Sequence, residues 1–150
     1  MIKINVFSEE KAWSKKLRNK EFFFKQICRS FPRKYKFINK KVSFSLLLSN
    51  NLNIKKLNKS FRSKNKATDI LSFPYHKKTK ILKNTYIGDI IISYNYINKL
   101  KPKTFKKELI KIFIHGFLHL LGFNHVKNND YKKMLKEEEQ IYKSVISKLN

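Results

Sequence analysis

Cysteine occurs once, at Cys28, so no disulfide framework can carry the fold. Cys28 falls among Phe22, Phe23, Phe24 and Ile27 and reads as a small core residue. Glycine and proline are almost as scarce, three of each, and no Pro/Gly/Ser-rich linker or internal repeat divides the chain. Acidic residues are few, 10 against 35 Lys and Arg, for a formal net charge of +25. Such a surface seeks polyanions, nucleic acid first and an anionic membrane second. Long apolar runs are missing, which excludes a bilayer-spanning helix. The N-terminus carries no signal-peptide pattern, so a reducing, bacterial-type cytoplasm is the expected setting.

What is present fits one compact unit over 1–150, because 41% hydrophobic residues in 150 supply a real core. Lys, Asn, Ile and Phe are all abundant, as AT-rich codons would make them, so charge alone permits RNA binding without proving it. Against that lysine background only Arg18, Arg29, Arg33 and Arg62 are arginine. Where lysine is the default, an arginine marks a need for its fork of donors, which grips a phosphate through two hydrogen bonds.

IKINVF, 2–7, alternates as a strand. Ser8 with Glu9 and Glu10 signals a helix start, and helical sequence continues to Phe31 with a break near 18–20. KVSFSLLL, 41–48, reads as a strand and 53–61 as a short helix. ATDILSFPY, 67–75, and IGDIIIS, 87–93, read as strands that pair antiparallel across a lysine-rich loop at 76–85. A short helix near 94–100 precedes a long one, capped by Thr104 and ended by Gly122, that is apolar almost all round and belongs at the centre. The last helix, about 131–149, carries an apolar stripe with Glu138 inside it and Glu137 and Glu139 outward. A carboxylate facing a core needs a partner, either a cation, a helix N-terminus or a metal-bound histidine.

Histidine is rare too, yet three of the four fall within HGFLHLLGFNH, 115–125. His115 and His119 are four apart and share a helix face; Gly122 lets the chain turn back, so that His125 reaches the same point. At this composition the spacing arises by chance with a likelihood on the order of 10⁻⁴. Three imidazoles leave a coordination position open, as in catalytic rather than structural zinc sites. The spacing is that of the zinc proteases, but their general-base glutamate is replaced by Gly116, which disfavours peptide hydrolysis. Gly116 has two readings, close helix packing or space beside the metal. A phosphodiester suits such a site better, since a divalent metal and an arginine can stabilise phosphoryl charge directly.

These residues resemble the YbeY family of metal-dependent endoribonucleases in three blocks: HGFLHLLGFNH; LNKSFRSKNKATDILSFP at 57–74; and GDIIIS at 88–93. The resemblance implies an α+β fold, a small mixed four-stranded sheet packed with about five helices, with the metal site on the central helix and the following turn. It implies one Zn²⁺ per chain, held by His115, His119 and His125, and a role for Arg62 in RNA binding and cleavage, with His115 also catalytic. Thr68, Asp69 and Ser72 match a cleft-lining strand, Gly88 and Asp89 its neighbour, and Glu138 a glutamate of the last helix. Asn124, Glu138 and Asp89 are therefore candidates to support the metal ligands, Asn124 standing where the family usually has Asp. The implied activity is single-strand-specific RNA cleavage in rRNA processing, including 16S rRNA 3′-end maturation and ribosome quality control. The implied partners are single-stranded RNA and the small ribosomal subunit with its assembly factors, not DNA or membrane. The alternative is a non-catalytic RNA-binding assembly factor with a structural zinc.

Overall fold

The computed structural model describes residues 1–77 and 80–149. Along the chain run β1 (Ile2–Ser8), α1 (Trp13–Lys16), α2 (Lys20–Arg29), β2 (Lys41–Ser49), α3 (Asn51–Arg62), β3 (Ile70–Pro74), β4 (Asn84–Ser93), α4 (Pro102–Leu120) and α5 (Asn128–Leu149). The four strands form one mixed sheet in the order β1-β2-β4-β3. β1, β2 and β4 are parallel, and β3 joins β4 antiparallel as an edge strand. This is the α+β architecture expected. Of the expected loop at 76–85, residues 78 and 79 lie outside the described residues, and β4 begins at Asn84.

The interior strands hold the apolar runs, as strands covered on both faces must. One face carries Phe44, Leu46 and Leu48 of β2 with Ile90 and Ile92 of β4, all packed under α2, α4 and α5. Phe113 and Phe117 of the central helix meet Phe44 there, with ring centroids 6.0 and 5.7 Å away. The opposite face carries a smaller cluster, Leu71 and Ile91 under Ile54 of α3. Cys28 lies in the larger core, as its neighbours imply.

Several boundaries differ from expectation. Ser8 ends β1 instead of opening a helix, and its hydroxyl turns to the Glu10 carbonyl. α1 starts only at Trp13, whose indole N–H donates to the Ser49 carbonyl at 2.9 Å. Asn19 then caps α2 through the Phe22 N–H. α4 begins at Pro102, whose fixed φ suits the first turn, so Thr104 lies inside the helix and caps nothing. Thr68 and Asp69 precede β3, which starts at Ile70. The helix expected at 94–100 is a 3₁₀ turn over Tyr94–Tyr96.

β4 contains one irregularity with consequences for side-chain direction. Between Ser43 and Ser45 its partner advances from Tyr86 to Asp89, one residue too many. Gly88 has φ +139° there, and a Cβ on it would stand 2.2 Å from the Phe73 carbonyl oxygen. The bulge inverts the alternation. Ile87 and Ile90, three apart, both enter the larger core, and Asp89 is left on the α3 face.

Candidate metal centre

α4 is buried along its middle, so its C-terminal turns are presented rigidly to the sheet edge at β3. His115 and His119 project side by side from it. Gly122, with φ +98°, reverses the chain while the Gly122 and Phe123 N–H groups satisfy the His119 and Leu118 carbonyls. The reversal brings His125 back, and one nitrogen from each ring falls within 4.8 Å of the others.

The outer nitrogens are already committed. Nδ1 of His115 donates to Oε1 of Glu138 at 2.6 Å. Nδ1 of His119 donates to the Phe123 carbonyl at 2.9 Å. In neutral rings the proton therefore sits on Nδ1, and the lone pair on Nε2. The two Nε2 atoms then face each other at 3.0 Å, acceptor against acceptor. A shared cation resolves that arrangement. Ligand nitrogens about 2.05 Å from a tetrahedral zinc lie about 3.3 Å apart, close to the 3.0 Å between these two. Burial first, then electrostatic repulsion within the cluster from His115 and, to a smaller extent, His125 and Arg62, holds the His119 pKa down at about 4, against the pull of the Phe123 carbonyl. His119 thus stays neutral and available as a ligand at neutral pH.

The trio opens on a cleft of about 510 Å³, whose walls include Arg62, Thr68, Asp69, Ser72, Lys77 and Asn124. Asp69 is its one carboxylate among the described residues, with Oδ1 accepting from the Ile70 N–H at 2.8 Å and from Thr68. Of the four arginines only Arg62 lines this cleft. It is the last residue of α3, and its Nη2 donates to the Ser72 carbonyl at 3.1 Å. His76 stands apart, its ring against Tyr75.

Among the three supporting candidates, Glu138 meets His115 of the trio directly. Asn124 is exposed on the cleft wall, and its side chain accepts from the Val126 N–H at 3.4 Å. Asp89 does not belong to the site. The bulge turns it to the far face, where it accepts from the Tyr86 hydroxyl at 2.6 Å. The group that orients His119 is the Phe123 carbonyl, which sequence reasoning missed because a backbone oxygen has no residue-type signature.

Gly116 is settled by packing. A Cβ there would stand 2.6 Å from Ile70 Cδ1, 3.1 Å from Ser72 Oγ and 3.2 Å from Ile90 Cγ2. Residue 116 faces the sheet, so its glycine is the seat of α4 on β3 and β4 and not a space beside the metal.

A three-histidine centre on a buried helix, open to a basic cleft at the edge of a mixed sheet, defines an α+β protein with a site positioned to bind a metal. A profile of the Endoribonuclease YbeY family matches residues 5–146. A protein named Endoribonuclease YbeY from Pelagibacter ubique is 57% identical over 99% of both chains. Another of that name, from Neorickettsia sennetsu, is 30% identical over 97% of both. A solution structure from Thermotoga maritima superposes with a TM-score of 0.57 at 26% identity, covering 95% of this chain and 89% of the other. The chain belongs to the Endoribonuclease YbeY family.

Proposed function

We propose that the whole chain is one zinc-dependent endoribonuclease domain cutting single-stranded RNA. Its setting would be rRNA processing in the cytoplasm, at 16S 3′-end maturation and ribosome quality control, beside the small subunit and its assembly factors. One observation carries this reading: the convergent histidine nitrogens and the Arg62 guanidinium line one cleft. When bound, a divalent metal supplies Lewis acidity and acidifies coordinated water.

The chain's own residues do the rest. His115, His119 and His125 hold the ion, with Glu138 and the Phe123 carbonyl fixing the ring orientations of the first two. Both nitrogens of His115 are thereby used, so it serves as a ligand and carries no proton for the reaction. Arg62 keeps donors beyond the one spent on Ser72, and these grip a phosphate and offset charge as it develops. Lys77, on the cleft wall, meets the backbone of the strand.

The test is cleavage of a single-stranded oligoribonucleotide by the parent, Arg62→Ala and His115→Ala. Both variants should lose at least about 100-fold, the usual worth of one charge-stabilising donor. Equal rates in all three would mean that the activity is a contaminant. In the rival reading, a non-catalytic assembly factor with a structural zinc, Arg62→Ala weakens binding with no scission to lose, and chelation unfolds the domain.

A further inference from the structure

We propose that Phe73 is a positioning residue that holds Arg62 in the cleft; the catalytic part of this rests on Arg62 as the phosphate-gripping group. Arg62 starts on the wrong side of the sheet. α3 packs on the face opposite α4 and the histidines. To reach the cleft, its last side chain must pass round an edge, and β3 is the edge it meets. An unbraced arginine carries roughly 2 kcal/mol of rotamer entropy and would spend little time in one pose.

β3 supplies the brace from two consecutive residues. The Ser72 carbonyl takes one guanidinium nitrogen at 3.1 Å. The ring of Phe73, on the α3 side, has its centroid 6.0 Å from the guanidinium carbon. Phe73 is itself fixed edge-on by Phe61, the residue before Arg62, at 5.4 Å. A guanidinium against a ring keeps its remaining N–H donors free at the rim, where a phosphate can take them. Ser72 also ties this brace to the metal helix, its hydroxyl donating to the carbonyl of Gly116, next to His115. The strand that steers the arginine thus also registers the histidine.

The experiment measures single-turnover RNA cleavage by the metal-loaded full chain. Phe73→Leu and Phe73→Met remove the ring while keeping bulk, so failure of one to fold leaves the other. Both should lower the cleavage rate at saturating RNA. The loss should lie between about fivefold, the worth of the ring contact, and about 100-fold, the cost of misplacing a reacting group by an ångström. Phe73→Tyr should restore the rate to within about twofold. Neither change should add to the loss in an Arg62→Ala background, as expected of residues acting through one another. Parental rates in both ring-less variants, or losses that multiply with Arg62→Ala, would overturn the proposal. NMR separates the two layers: a ring held against the guanidinium should shift the Arg62 Nε–H proton upfield in the parent, and Phe73→Leu should abolish that shift. If the shift is lost but Arg62→Ala cuts normally, the brace stands and the phosphate role falls. If the shift is unchanged, there is no brace.

Discussion

A glutamate at residue 116 is what the protease spacing would call for, and the packing forbids it. The side chain would enter the sheet face beside Ile70, Ser72 and Ile90 and bury a carboxylate between two isoleucines, with the Ser72 hydroxyl beside it too weak a partner for a buried charge. Gly116→Glu should therefore cost about 3 kcal/mol or more in urea unfolding and yield no peptidase. Glu138→Gln keeps the shape but weakens the grip on His115 Nδ1. It should lower metal affinity about 10- to 100-fold in chelator competition. His119 sets a pH dependence in the metal-free protein. Its folded pKa, about 4, lies below the ordinary 6.5, so its contribution to stability is whole above 6.5 and is lost as pH falls toward 4. Thermal melts in chelator should fall across that window, and less steeply in His119→Ala.

At the scale of elements, α5 decides whether the metal centre is braced. Met134, Ile141 and Val145 seat it in the core. Spacing from Met134 places both 137 and 138 on that face, so the expectation of an outward Glu137 misread a signal that was present. Glu137 accepts from the Tyr35 hydroxyl at 2.5 Å and pairs with Lys34 at 2.6 Å. Burial pushes its pKa up, yet those two partners outweigh burial and leave it below the usual carboxylate value. Tyr35→Phe should cost about 1.5–3 kcal/mol in denaturant unfolding, the range for a hydrogen bond to a charged group. The strands and long helices were legible because their apolar periods are regular. Asp89 was not, because the extra residue at Gly88 inverts the face of everything after it, and a count along the strand cannot see a bulge.

For the whole molecule, the core and the metal centre are separable. Among the described residues the larger core cluster contains no histidine. Chelation should therefore leave the far-UV circular dichroism unchanged while abolishing cleavage, the reverse of what a structural zinc would do. A net charge of +25 makes RNA affinity dependent on ionic strength. With about five phosphates neutralised, log K should fall against log salt with a slope near −3.5. A flat salt response would remove the electrostatic argument for an RNA partner. No helix among the described residues is long and apolar enough to cross a membrane.

The amino-acid sequence by itself determined the family and picked out the histidine trio positioned to hold a metal. His115, His119 and His125 are bound to one point by helical period and a glycine turn, which are local geometry. Periods of two and 3.6 marked the individual strands and helices, and the family resemblance supplied the α+β class. Tertiary structure alone decided which face each remaining residue serves. It gave Gly116 to packing, sent Asp89 to the far side, set the Phe123 carbonyl on His119, and carried Arg62 round an edge strand to the histidine cleft. Those outcomes depend on bulges, edges and backbone oxygens, which arise from how distant segments meet and leave no mark in residue spacing.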